Sequence, residues 1–69
     1  MKTIREMRGE RGWTQLELAI KLGVTPLTIH NWEYGKYEPS ASRLRQIAQT
    51  FGVSMDDIEL VEEQGKAAA

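Results

Sequence analysis

The 69-residue sequence has no cysteine, a single histidine, two prolines and one phenylalanine. Without cysteine there is no disulfide and no thiolate metal site, so the staples on which many small domains depend are missing. One histidine alone leaves too few ligands for a zinc site. No apolar stretch approaches the about 18 residues that a membrane span needs, and the N-terminus lacks the apolar core of a secretory signal. A cytoplasmic setting without a cofactor is therefore expected. No Ser-His-Asp array and no phosphate-binding glycine loop appears, which points away from an enzyme. A chain this short fits one compact domain whose stability must come from packing.

Charge of one sign is also lacking overall: the formal net charge is −1. The distribution is uneven. Residues 1–46 carry eight Lys/Arg against five Glu, a balance of +3, and residues 47–69 carry one Lys against five Asp/Glu, a balance of −4. Such asymmetry between halves hints at a basic working face and an acidic remainder.

Turn signals at Gly12, Gly23, Gly35, Pro39 and Gly52 divide the chain into five short helices, and no segment alternates like a strand. The first is expected over about Thr3–Arg11, with Ile4 and Met7 inward and Trp13 plugging the core behind Gly12. The second opens at Thr14, where Thr14-Gln15-Leu16-Glu17 fits a capping box, and carries Leu18, Ala19 and Leu22 inward before Gly23 ends it. The third has Thr25 as its cap and Pro26 at its first position, where a missing N–H does no harm, and runs to Tyr34. Ser40 caps a fourth over Ala41–Phe51, with Leu44, Ile47, Ala48 and Phe51 at i, i+3, i+4, i+7. A fifth is expected from Ser54, with Asp57 closing a capping box and Met55, Ile58 and Val61 facing inward. The domain is expected to span 1–62, with 63–69 as a disordered tail or cloning scar.

The informative stretch is Gln15 to Tyr34. Two helices of about eight residues meet at a turn of Gly23, Val24 and Thr25, a link too short to let them lie side by side. At roughly 100° per residue, Trp32, Glu33 and Pro26 fall on the same side of the third helix as Ile29. Leu27, His30, Asn31 and Tyr34 fall on the outer side, flanked by Thr25 and Thr28. A helix with such short hydrogen-bonding groups and one apolar tip fits the DNA major groove, where base edges offer donors, acceptors and the thymine methyl.

The stretch TQLELAIKLGVTPLTIHNWEYGKYEP, followed by LRQIAQTFGVS, resembles the Xre/Cro-type helix-turn-helix regulators of bacteria and phages. The resemblance covers about Ile4 to Leu60. It rests jointly on Thr14-Gln15, Ala19, the Leu22-Gly23-Val24-Thr25 turn, Ile29, the Trp32-Glu33 pair, Gly35, Pro39 and the LxxIA run. It implies an all-α, compact, five-helix lambda-repressor-like domain that binds double-stranded DNA to regulate, and specifically to repress, transcription. The third helix is then the recognition helix. Pro26, Leu27, Thr28, His30 and Asn31 match positions that touch bases or nearby phosphates. Gln15 matches a phosphate-gripping residue, and Lys36, Tyr37 and the Ser40–Arg43 segment match a second phosphate-binding region that includes Ser42. Thr25 and Tyr34 are expected to join this phosphate set. Arg8 and Glu33 match a buried ion pair of some members. Relatives commonly bind as two-fold homodimers on half-sites about one helical turn apart.

Two departures stand out. Several relatives have glutamine where this chain has Pro26 and Leu27, and glutamine can read adenine bidentately. Leu27 is expected to favour a thymine methyl instead. Leu16 and Ile20, one helical turn apart, are apolar at positions that are usually polar, and offer a surface for a protein partner. A protein-interaction module, or an antitoxin that pairs with a toxin, is the rival reading, since fold does not fix function. Trp13 and Trp32 suit core packing better than base stacking, and Tyr34 and Tyr37 suit phosphate contact or plain surface equally. Asp56 and Asp57 suit a helix start rather than a carboxylate pair, because adjacent helical residues do not face each other.

Overall fold

A computed structural model of the chain describes residues 1–61. A two-residue strand, β1 (Lys2–Thr3), leads into α1 (Ile4–Glu10), α2 (Gln15–Leu22), α3 (Pro26–Glu33) and α4 (Ala41–Phe51). A 3-10 turn over Met55–Asp57 and a second short strand, β2 (Ile58–Glu59), follow.

The helix starts are set by local chemistry. Thr3, Thr14, Thr25 and Ser40 each sit in extended backbone, and each side-chain oxygen accepts from an amide in the first turn that has no partner within the helix. Thr14 and Glu17 form the reciprocal box, and so do Thr3 and Glu6, which hold the Glu6 carboxyl below its ordinary pKa of 4.5 through the Thr3 amide and hydroxyl. Helices α2 and α4 end at Gly23 and Gly52, with φ of 72° and 68°, a left-handed conformation that disfavours any residue bearing a Cβ.

The four helices surround one core. Ile4 and Met7 of α1, Leu18, Ala19 and Leu22 of α2, Ile29 and Trp32 of α3, and Ile47, Ala48 and Phe51 of α4 are buried together with Ile58. Each fully buried aliphatic side chain contributes about 1.5–3 kcal/mol, so few residues carry the fold. Trp13 stacks on Phe51 with centroids 5.5 Å apart, half-buried at the edge of the core.

The last element departs from the sequence expectation. Among the described residues there are four α-helices, and the expected fifth is a single 3-10 turn. Ser54 does cap it, but accepts from the Asp56 amide, and the chain turns extended at Ile58 (φ −92°, ψ 121°). β2 then pairs in parallel with β1, Lys2 opposite Ile58 and Thr3 opposite Glu59. Ile58 thereby gains ladder partners and a place in the core together, a better outcome for a β-branched residue than one more turn of short helix. The expectation that no strand occurs fails for the same reason: strands of two residues are too short to alternate. Pro26, expected inward, is exposed at the first position of α3. The expected tail at 63–69 lies outside the described residues.

Candidate nucleic-acid interface

The α2–α3 unit is held by its turn. The Val24 amide donates to the Ala19 carbonyl at 3.0 Å, and the Gly23 amide to Ile20 at 3.3 Å. Ala19, 1% exposed, is the small residue packed at the core side of α2. From Thr25 the chain enters α3 with the Thr28 amide donating to Thr25 Oγ1 at 3.2 Å and the two threonine hydroxyls bonded at 2.9 Å.

The inner face of α3 is fully engaged. Ile29 is completely buried, Trp32 nearly so, and Glu33 is the buried charged residue among those described. The Glu33 carboxylate accepts from Arg8 Nε at 2.6 Å and Nη2 at 3.1 Å, in the two-pronged geometry that guanidinium and carboxylate share. Arg8 Nη1 also donates to the Trp13 carbonyl at 2.8 Å, and Gln15 Nε2 donates to Glu33 Oε1 at 3.0 Å. One carboxylate thus ties α1, α2 and α3 together. The Glu33 hydrogen bonds, working against partial burial, raise the already high pKa of Arg8.

The outer face is open. Leu27 is 65% exposed, Tyr34 is exposed, and Thr28, His30 and Asn31 are half-buried. The His30 and Tyr34 rings lie 4.3 Å apart, and the Arg5 guanidinium from α1 stands 5.9 Å from the Tyr34 ring centre on a cation–π line. The Lys36 amide donates to the Asn31 carbonyl at 2.9 Å, which folds the following loop back onto the end of α3. Lys36, Tyr37, Ser40 and Ser42 are exposed along that loop and the start of α4. Ser40 Oγ accepts from the Arg43 amide and lies 3.3 Å from Ser42 Oγ.

Several cationic and amide groups, among them Arg43 and Gln15 singled out in the sequence, have work inside the protein. Arg43 Nη1 donates to the Leu22 carbonyl at 2.9 Å, where Gln46 Nε2 also donates, closing the end of α2. Arg11 Nη2 does the same for the Phe51 carbonyl at the end of α4. Gln15 spends one of its two side-chain N–H groups on Glu33. Sequence reasoning missed these bonds and the Arg5–Tyr34–His30 stack, since nothing local signals them. It also missed the Thr3–Glu6 box, although the Thr-x-x-Glu spacing matches that at Thr14. Leu16 and Ile20 are exposed, at 55% and 70%, on the outer side of α2. Among the described residues there is no group of three or more potential metal ligands, and no helix is long and apolar enough to cross a membrane.

Comparison with known proteins agrees with this geometry. The family model described as helix-turn-helix matches residues 4–58. An uncharacterized HTH-type transcriptional regulator of Methanothermobacter thermautotrophicus is 44% identical over 63 residues, covering 90% of this chain and 91% of that protein. Another from Archaeoglobus fulgidus is 41% identical over 61 residues, covering 88% and 87%. The antitoxin HipB of Escherichia coli is 38% identical over 55 residues, covering 80% of this chain and 55% of its own length. With the matched segment running from the buried start of α1 to the core residue Ile58, the chain belongs to the Xre-type helix-turn-helix family and is a DNA-binding transcriptional regulator.

Proposed function

We propose that the chain represses transcription by occupying a duplex operator sequence-specifically, with α3 laid in the major groove. Pro26, Leu27, Thr28, His30 and Asn31 face the bases. Gln15, Thr25, Tyr34, Lys36, Tyr37, Ser40, Ser42 and Arg43 hold phosphates on either side. Gln15 and Arg43 do so with the N–H groups left over from Glu33 and from Leu22. The protein works in the cytoplasm as a homodimer on two half-sites. The observation that carries this reading is the division of α3: one face is bonded and buried at Ile29, Trp32 and Glu33, and the other presents side chains to solvent. Phosphate contacts supply salt-dependent affinity and the base contacts supply selectivity.

Selection of bound DNA from a random duplex pool at two salt concentrations tests the proposal. A two-fold symmetric motif enriched at both is expected. Failure to retain any duplex at low salt, or retention with no enriched sequence, would overturn it.

A second reading adds a protein partner. The similarity to an antitoxin and the exposed pair Leu16 and Ile20 support it. In that case α2 carries the partner while α3 carries the operator. Leu16→Glu with Ile20→Lys should abolish co-elution with the partner encoded by a neighbouring gene and leave operator binding intact. Unchanged co-elution sinks it.

A further inference from the structure

The front turn of α3 spends much of its hydrogen-bonding capacity within the protein. Pro26 has no N–H. The Thr28 amide is taken by Thr25 Oγ1, and the Thr25 and Thr28 hydroxyls are bonded to each other. The Ile29 amide donates to the Thr25 carbonyl. What this turn extends outward is the Leu27 side chain, 65% exposed. One turn further on, His30 and Asn31 restore polar groups to the same side of the helix. The reading face is therefore divided along its length into an apolar front and a polar rear.

A base edge brought against the Leu27 side chain meets an aliphatic surface that neither donates nor accepts. Adenine N6 and N7, guanine O6 and N7, and cytosine N4 would each give up water without replacement. The apolar group that standard bases place in the major groove is the thymine C5-methyl, and 5-methylcytosine carries the same methyl at the same position. Resting on the groove-binding reading above, we infer that Leu27 is a specificity residue that selects a 5-methylpyrimidine, thymine or 5-methylcytosine, at the base step facing the front of α3. The polar rear, Asn31 and His30, reads the neighbouring pairs by hydrogen bonds.

The test uses the full chain and the duplex enriched from the random pool. Each thymine is replaced in turn by deoxyuridine, which removes only the methyl. At each thymine position the pair is also changed to cytosine–guanine, with and without a C5-methyl on the cytosine. Binding is measured for the wild type and for Leu27→Ala, whose thermal midpoint should match the wild type because the side chain is exposed. At one position per half-site, loss of the methyl should weaken the wild type about fourfold, the effect of one buried methyl group. There Leu27→Ala should be indifferent. A methyl on cytosine at that position should recover part of the loss, which separates recognition of the methyl from recognition of thymine as a whole. Recovery to full wild-type affinity would identify 5-methylcytosine as an equal ligand. If both proteins bind and respond alike to every methyl change, the inference is overturned while groove binding stands. If Leu27→Ala weakens all duplexes equally, Leu27 contributes affinity without selectivity and the inference is likewise overturned. Retention of no duplex by the wild type removes groove binding and methyl recognition together.

Discussion

On the inner face of α3, Ile29 and Trp32 are packed in the core, and every oxygen of the Glu33 carboxylate is bonded to Arg8 or Gln15. On the outer face, Leu27 stands in water and the side chains of His30 and Asn31 have no hydrogen-bond partner among the described residues. The two faces share eight residues of one helix, yet they serve different ends. The inner face fixes where α3 stands. The outer face is free to match something outside the molecule. A substitution on one side should therefore appear in stability, and on the other in binding, and this separation is open to direct test.

The largest effect is expected at Arg8. Removing its side chain leaves the Glu33 carboxylate, which is wholly buried, with Gln15 as its partner. Stranding a buried charge costs about 3–5 kcal/mol, which in a domain of this size lowers Tm on the order of 15–30 °C. Arg8→Ala should show that fall in a thermal melt. A Tm within a few degrees of the wild type would mean that the ion pair does not hold α3 in place, and the contrast between the faces would lose its structural half.

How far such contrasts are legible beforehand depends on the range of the interaction. The caps at Thr14, Thr25 and Ser40 and the turn at Gly23 are read from sequence because each is a bond between residues at most three or four apart. The burial of Ile29 with Trp32 and of Ile47 with Phe51 follows from helical period alone. The end of the chain is different. Ser54-Met55-Asp56-Asp57 has every local mark of a helix start, and it fails to become one because Ile58 pairs with Lys2 across the whole length of the fold. The arginines fail for the same reason. Counting charge gives only a basic balance over residues 1–46, and the resemblance gives Arg43 to phosphate, but only the folded chain shows that the Arg11 and Arg43 guanidiniums each close the end of a helix distant in sequence. The candidate site is legible as a face, since it lies within one helix, and illegible in how its neighbours are spent.

On the outer face the expected effect is of a different kind. Asn31→Ala should leave Tm unchanged and remove about 1–3 kcal/mol of discrimination at one base pair, the worth of a well-formed side-chain-to-base contact. Competition between the selected operator and single-base variants measures it. A uniform loss across all variants would instead place Asn31 among the phosphate contacts. In the turn that leads from α2 to α3 stands Gly23. A Cβ added there meets no atom within 4 Å, so the cost of Gly23→Ala comes only from its φ of 72°, roughly 1 kcal/mol. The expected result is a modest fall in Tm with base preference retained. A changed preference would show that the turn sets the angle at which α3 meets DNA.

The smallest effect separates two cations that the sequence alone treats alike. The Lys36 ammonium has no partner among the described residues, whereas Arg43 Nη1 is bonded to the Leu22 carbonyl. Lys36→Ala should lower the salt dependence of operator binding by about one unit of slope and leave Tm where it is. Between roughly 50 and 200 mM salt that amounts to about a 3.5-fold change in relative affinity. Arg43→Ala should reduce the slope and Tm together, because the same side chain closes α2. If the two variants behave identically in both measurements, a bond to the protein's own carbonyl makes no difference to what a surface cation does. The division between engaged and free groups would then be a matter of geometry without energetic consequence.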